Sequence, residues 1–168
     1  MTDSGDTIAA LATPWGHGSI GVIRLSGPQA LEIARQIFHA SHHPEHFESH
    51  RLYHGDVVSP ETGNIIDEVL LCFMGRPHSY TGEDTVEINC HGGPLIIKSI
   101  LHAVTFLGAR LAEPGEFTKR AFLNNRLDLS RAEAILDVIQ ARTEKGLSAA
   151  VNRLKGALAR ETAAIRDA

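Results

Sequence analysis

Alternating apolar and polar residues predict a series of short β-strands along the first two thirds of the chain. The clearest alternation covers residues 84–90, where Val86, Ile88 and Cys90 share one face and polar residues occupy the other. The segment 59–64 has strong turn chemistry, so the strands on either side of it are expected to pair antiparallel. Further strands are predicted from short apolar runs bounded by turn residues, over residues 7–12, 20–25, 52–58, 65–74 and 110–112.

Two helices are expected between these strands. Pro28 suits the first position of a helix capped by Ser26 or Gly27. A second helix is expected to open at Gly92-Gly93-Pro94 and to stop at Gly108. The polar, His-rich residues 39–50 show no periodicity and predict a loop. The apolar face of the first helix is predicted to consist of Leu31, Ala34, Ile37 and Phe38.

The pattern becomes purely helical after about residue 118. Ser130 to Glu133 matches a capping box and predicts the start of a helix there, and Thr143 is expected to cap a further helix. Because no later segment supplies packing partners for these helices, we expect the chain to end inside a helical domain. The apolar positions are Ala134, Ile135, Val138 and Ile139 in the first helix, and Leu147, Val151, Leu154, Leu158 and Ile165 in the second.

Composition indicates an ordinary globular chain, with 168 residues, 43% hydrophobic and 21% charged. No run of eighteen apolar residues predicts a membrane-spanning helix. The polar, acidic N-terminus lacks the apolar core of a signal peptide, so a cytoplasmic location is expected. A net charge of −4 argues against a broad basic surface for nucleic acid.

Cys72 and Cys90 form no C-x-x-C pair and are expected to be reduced, buried thiols.

Several motifs point to chemistry that the surrounding sequence does not support. Residues 16–21 match G-x-G-x-x-G but lead into a strand-like run, so we expect a glycine turn, open to close backbone approach by a ligand, and no dinucleotide site. The P-loop pattern is absent from the 168 residues. The histidines of residues 39–54 lack acidic or cysteine partners at ligand spacing, which favours a solvated loop over a metal site. His91 is interpreted either as a ligand-orienting residue or as the end of a strand.

Three charged residues occupy positions where a purely structural role is awkward. Arg24 ends an apolar strand, Glu87 lies inside an otherwise neutral strand, and Arg126 sits in a tight connection between two helices. Each alone is most simply a solvated side chain or a surface ion pair. Together they could form a pocket for a ligand with a pterin-like ring edge and an anionic tail. A carboxylate can accept two parallel hydrogen bonds from such an edge, and arginines can donate to carbonyl and carboxylate oxygens.

Three separated stretches carry the most specific pattern in the chain. They are residues 12–27 (ATPWGHGSIGVIRLSG), 79–94 (SYTGEDTVEINCHGGP) and 114–129 (PGEFTKRAFLNNRLDL), followed by Ala132-Glu133-Ala134. In order and spacing they resemble the MnmE (TrmE) family of tRNA-modification GTPases. The resemblance covers nearly the entire chain, and the His-rich loop is its least typical part.

The resemblance implies an α+β fold. Residues 1–118 would form a mixed-sheet, folate-binding domain similar to that of aminomethyltransferases, and residues 119–168 the first helices of a helical domain. The bound cofactor would be a one-carbon tetrahydrofolate derivative, either 5-formyl- or methylene-tetrahydrofolate. The family's folate-contacting arginine and glutamate match Arg24 and Glu87. Its third contact is usually a lysine and is matched by Arg126, which keeps the positive charge but presents a planar fork.

The resemblance also implies partners. The N-terminal domain would form a homodimer with its folate sites near the interface, and the full-length protein would act with the FAD-dependent MnmG on the wobble uridine of tRNA. The family's GTPase domain, which uses GTP, Mg²⁺ and K⁺, is inserted further along the helical domain. Because the P-loop is missing, we do not expect GTP hydrolysis from these 168 residues.

Two alternatives to this function stay open from the residues. One is a free-standing folate-dependent enzyme like the aminomethyltransferases, which would need a complete substrate pocket and a catalytic acid. The unfinished helical bundle argues against it. The other is a dimerisation scaffold without ligand, whose charged residues form structural ion pairs only.

Overall fold

A computed structural model describes residues 5–16, 18–42, 44 and 46–155. The chain divides between Phe117 and Thr118 into two compact units. The first unit contains, in chain order, β1 (Ile8–Leu11), β2 (Ile20–Ser26), α1 (Ala30–Ile37), β3 (Phe38–Ala40), β4 (Arg51–Val58), β5 (Ile65–Met74), β6 (Thr85–His91), α2 (Pro94–Phe106) and β7 (Arg110–Leu111). The remaining helices are α3 (Glu116–Leu123), α4 (Leu129–Gln140) and α5 (Glu144–Leu154).

The seven strands form one mixed sheet in the order β3-β4-β5-β6-β2-β1-β7. All neighbours pair antiparallel except β1 and β7, which pair parallel. The predicted hairpin is confirmed: β4 and β5 are joined by a turn in which Ser59 N–H donates to the carbonyl of Asn64 at 2.8 Å. The predicted strands are all present, with ends within one residue of the expected positions, and the α+β mixed-sheet fold is confirmed.

The hydrophobic core lies between one face of the sheet and the helices α1 and α2. Within a strand, every second side chain points toward this core and the residues between them point to the opposite face of the sheet. Each fully buried isoleucine or leucine contributes roughly 1.5–3 kcal/mol relative to an exposed one. The large, fully buried side chains of this core include Ile23, Leu25, Leu71 and Ile88 from the sheet, and Ile33, Ile37, Ile97, Ile100 and Val104 from the helices.

The turn before β2 fits closely against the turn before α2. A Cβ atom on Gly92 would overlap the carbonyl group of Gly18, and Gly92 N–H donates to the carbonyl of Ser19 at 3.2 Å. Glycine is therefore required at position 92 because two backbone segments meet there. The segment around Gly18 leads directly into β2, as expected, and no helix opens within it.

The start of α1 differs from the sequence prediction. The helix begins at Ala30 with Gln29 at its N-cap, and Pro28 is not its first residue. The reason is a distant acceptor: Thr7 Oγ1 receives the Gln29 N–H at 2.9 Å and takes the place of a local cap. Ala34 and Ile37 are buried on the helix as predicted. Phe38 is buried too, but it is the first residue of β3.

The loop predicted for residues 39–50 is wrong at its beginning. His39 and Ala40 belong to β3, which pairs with β4 at the edge of the sheet. The strand is only three residues long, too short to show a period in the sequence.

The second unit contains α4 and α5 packed on each other. Arg131 Nε donates to the carbonyl of Leu154 at 2.8 Å, and Arg153 forms an ion pair with Asp137 at 2.8 Å. Ala134 is buried on α4, whereas Ile139, predicted on the same apolar face, is exposed. The predicted positions Leu158 and Ile165 lie outside the described residues.

The caps of these two helices test the sequence prediction directly. Thr143 caps α5 as predicted, accepting the Gly146 N–H at 3.1 Å. The predicted cap at Ser130 is wrong, because Asp128 is the N-cap of α4 and its carboxylate accepts the Arg131 N–H at 2.9 Å. A carboxylate suits this place because it also meets the positive end of the helix dipole.

None of the described helices is both long enough and apolar enough to cross a membrane.

Candidate functional site

Arg24 and Glu87 lie directly opposite each other on the neighbouring strands β2 and β6. Residues paired across an antiparallel ladder point to the same face, so both side chains project from the face that α1 and α2 leave uncovered. Arg24 Nε donates to Glu87 Oε1 at 2.8 Å, and its Nη2 lies 2.6 Å from the same oxygen. Each side chain remains about a quarter exposed, at 25% and 24%.

Two aromatic rings flank the guanidinium group of Arg24. Its Cζ atom lies 5.2 Å from the centre of the Tyr80 ring and 5.7 Å from that of Phe117. Both distances fall within the range of cation–π attraction. The rings and the carboxylate therefore restrict the guanidinium to one orientation.

This ion pair leaves one guanidinium nitrogen and one carboxylate oxygen outside the contact. The pair uses Nε and Nη2 of Arg24 and a single oxygen, Oε1, of Glu87. Among the described residues, Arg24 Nη1 and Glu87 Oε2 make no hydrogen bond. The remaining N–H groups of Arg24 and the second carboxylate oxygen of Glu87 match a ligand edge that has an N–H next to a carbonyl.

The loop between β5 and β6 is fixed to the end of β2 by buried hydroxyl groups. Ser26 and Thr81, both fully buried, lie 2.6 Å apart through their hydroxyl oxygens. Ser26 also donates to Glu83 Oε2 at 2.7 Å. This loop carries Tyr80, so it determines where one of the two aromatic rings lies.

Arg126, the third predicted site residue, belongs to the second unit. It follows α3, where its N–H donates to the carbonyl of Ala121 at 2.8 Å. The preceding residue, Asn125, has a φ of 57°, a left-handed conformation that asparagine tolerates better than most residues. The side chain of Arg126 is exposed in a shallow depression shared with Asp128 and Arg131. The structure thus brings Arg24 and Glu87 together and places Arg126 within its own unit.

His91 ends β6 and pairs with a carboxylate. Asp67 accepts the backbone N–H of His91 at 2.7 Å and lies 2.8 Å from its Nδ1. His54 in the same way contacts Glu68 at 2.8 Å. Within the described part of the chain, no group of three or more histidine, cysteine or acidic side chains is arranged to hold a metal ion.

Both cysteines carry free thiols, and each has a raised pKa. Burial raises the pKa of Cys90 to about 11, with a further contribution from the charge of Asp67. Burial also raises the pKa of Cys72, and the nearby charge of Glu87 adds to this effect. Cys72 faces Glu87 directly across β5 and β6. The two thiols are therefore poor nucleophiles at neutral pH.

Sequence reasoning missed the two aromatic residues of the site. Tyr80 and Phe117 lie inside the stretches 79–94 and 114–129, but each reads there as an ordinary apolar position. Their contacts with Arg24 span 56 and 93 residues of chain (80 − 24 and 117 − 24). No local pattern carries that information.

The fold and site define an α+β protein whose mixed sheet is covered by helices on one face and carries an aromatic-flanked ion pair on the other. A family model described as the N-terminus of the GTP-binding protein TrmE matches residues 7–126. The chain belongs to this TrmE N-terminal family.

Curated relatives agree with this assignment. The chain is 57% identical over 162 residues to a tRNA modification GTPase MnmE of Syntrophus aciditrophicus, covering 96% of this chain and 35% of the relative. It is 57% identical over 163 residues to the MnmE of Chloroflexus aurantiacus, covering 97% and 36%. The MnmE of Syntrophobacter fumaroxidans is 54% identical over 162 residues, covering 96% and 34%. The chain spans about a third of the length of these relatives.

Proposed function

We propose that this chain is the folate-binding N-terminal part of a tRNA modification GTPase. Its ligand is a one-carbon tetrahydrofolate, with 5-formyl- and methylene-tetrahydrofolate as the two candidate forms. The observation that carries the proposal is the Arg24–Glu87 pair, which keeps Arg24 Nη1 and Glu87 Oε2 free of hydrogen bonds among the described residues.

The chemistry of a pterin ring fits these two groups. Its edge presents N–H donors beside a carbonyl oxygen, so Glu87 Oε2 accepts from the ring nitrogens while Arg24 donates to the oxygen. Tyr80 and Phe117 keep Arg24 oriented, which lowers the entropy lost on binding. Arg126 is the proposed third contact and supplies a donor fork for the carboxylates of the folate tail.

The remaining steps belong to the whole protein. This chain spans about a third of the length of the relatives that it matches. We place the folate carbon in a reaction at the wobble uridine of tRNA, with the FAD-dependent MnmG as partner in the cytoplasm. We assign GTP, Mg²⁺ and K⁺ to the GTPase domain of the longer protein, since the 168 residues contain no P-loop that could bind a nucleotide.

A homodimer formed through residues 1–118 completes the proposal. The sheet face that carries Arg24 and Glu87 also exposes apolar side chains on three different strands. Ile20 is 65% exposed, Leu52 59% and Leu70 42%. Burying such residues against a second copy removes apolar surface from water, which favours association.

Calorimetric titration of the chain with 5-formyltetrahydrofolate tests the ligand proposal. We expect saturable binding by the wild type and a loss of affinity of at least about 100-fold in Glu87→Ala, because two charge-assisted hydrogen bonds are removed. Arg24→Ala is expected to weaken binding in the same way. The matched control is Glu68→Ala, which removes an exposed carboxylate paired with His54 on the same sheet and should bind like the wild type.

Equal folate affinity in Glu87→Ala and Glu68→Ala would contradict the proposed site. A folded wild-type chain that dimerises but binds no folate would instead be a scaffold. Turnover of a folate and an aminomethyl donor by the chain alone would identify a free-standing transferase.

A further inference from the structure

Glu83 lies at the centre of the hydroxyl network beside the Arg24–Glu87 pair. An ionised carboxylate can only accept hydrogen bonds, so the single hydroxyl proton of Ser26 is directed to Glu83 Oε2, 2.7 Å away. The short Ser26–Thr81 contact of 2.6 Å must then be a donation from Thr81 to Ser26. The charge of Glu83 thus orders two buried hydroxyl groups in one direction.

The same network fixes the residues on both sides of Tyr80. Ser79 donates through its hydroxyl to the carbonyl of Glu83 at 2.5 Å and accepts the Gly82 N–H at 3.0 Å. Thr81 is held by Ser26 and also accepts the Glu83 N–H at 3.3 Å. Because residues 79 and 81 are both fixed, the backbone between them is fixed as well, and with it the direction in which the Tyr80 side chain leaves the chain.

Ser26 connects this loop to the ligand-facing strand. It lies two residues after Arg24 in β2 and pairs with Thr85, as Arg24 pairs with Glu87. Successive residues of the same parity point to the same face of a strand. The carboxylate of Glu83 is therefore tied to the face from which Arg24 projects, on the same side as the Tyr80 ring.

We propose that Glu83 is a positioning residue of this site: by binding Ser26, and through it Thr81, it holds the Tyr80 ring against the guanidinium group of Arg24. Arg24 is then already oriented before a ligand arrives, with its Nε and Nη2 on Glu87 Oε1. The ligand-binding consequence rests on the proposed folate function, while the placement of Arg24 does not.

The first test compares folate affinity in variants of the network. Glu83→Ala should weaken 5-formyltetrahydrofolate binding about tenfold. This loss, about 1.4 kcal/mol, is that of one charge-assisted hydrogen bond from a misplaced Arg24 to the ligand. Ser26→Ala should weaken it to a similar extent and keeps the proposal testable where Glu83→Ala does not fold. Glu83→Gln should restore affinity to within about threefold, because its amide oxygen accepts from Ser26. The control Glu61→Ala, which removes an exposed carboxylate paired with His102 at 2.7 Å, should have no effect.

A double-mutant cycle distinguishes positioning from general destabilisation. Since Glu83 acts through Tyr80, Glu83→Ala should have little further effect on affinity in a Tyr80→Ala background. Additive losses in the double variant would overturn the proposal, because they would show that Glu83 acts independently of the ring.

A ligand-free measurement separates failure of this inference from failure of the folate proposal. The NMR resonance of the Arg24 Nε–H group senses the Tyr80 ring and should shift in Glu83→Ala and Ser26→Ala but not in Glu61→Ala. If the wild type binds no folate, the folate proposal fails and this resonance still decides the role of Glu83. An unmoved resonance in a folded Glu83→Ala variant would overturn the positioning role.

Discussion

At the scale of single residues, the cap of α4 shows how one side chain can determine where a helix begins. Asp128 accepts the Arg131 N–H and the hydroxyl of Ser130, and the backbone bond from Arg131 is the main reason why the pKa of Asp128 lies below its ordinary value. A lowered pKa means that the folded state favours the ionised form. The stabilisation is therefore present above the ordinary pKa and is lost as the pH falls through the lowered one.

We predict that Asp128→Ala exposes the first turn of α4. Losing the cap should reduce the stability of the helix by about 1 kcal/mol and should accelerate amide exchange at Arg131. Ser130→Ala should have a smaller effect, because Ser130 contributes only one hydrogen bond to the cap. In the wild type, the protection factor of Arg131 should stay constant from neutral pH to about pH 4 and fall below it. Equal exchange in the two variants would show that Asp128 is not the cap.

At the scale of elements, the edge strand β3 depends on a glycine in its neighbour. Gly55 pairs with Ala40, and a Cβ atom at position 55 would overlap the carbonyl of His39. Just beyond the strand, Ser41 N–H donates to the carbonyl of His54 at 2.9 Å. The close approach of the two backbones is thus possible only without a side chain at position 55.

We predict that Gly55→Ala separates β3 from β4. The overlap with backbone atoms should lower the free energy of unfolding by about 1–3 kcal/mol, as overpacking does in protein cores. Amide exchange at Ser41 should accelerate, which mass spectrometry or NMR can measure. Gly75→Ala is the matched control, since its nearest side-chain atoms, on Phe73, lie at an ordinary 3.5 Å. Similar exchange at Ser41 in both variants would contradict this account of the edge.

At the scale of the whole molecule, the proposed homodimer can be tested on the open face of the sheet. Leu70→Glu places a charge among the exposed apolar residues of that face and should convert a dimeric chain to monomers, measured by sedimentation equilibrium. Ile65→Glu is the control, because Ile65 is 65% exposed but lines a groove with α2 residues such as Leu95 and Ile96 on the other side. A dimer that survives Leu70→Glu would exclude this face, and a monomeric wild type would exclude the homodimer.

The sequence by itself predicted most of the elements, though not the short strand β3, and it supplied the candidate site residues. The period-two alternation of β6, the turn at residues 59–64 and the glycines around α2 are local signals, and each of these three features appeared within one or two residues of its predicted place. The family motifs, also contained in the sequence, selected Arg24 and Glu87 before any contact between them was known.

Only the tertiary structure decided how these residues meet. The ion pair of Arg24 with Glu87 joins residues 63 positions apart, and it exists because the register of β2 on β6 places them opposite each other. Thr7 completes the start of α1 from 22 residues away, and Tyr80 and Phe117 reach Arg24 across 56 and 93 residues. Sequence patterns report which face a residue occupies, since that depends on neighbours along the chain. Contacts between distant segments depend on strand order and packing, which are settled only when the whole unit folds.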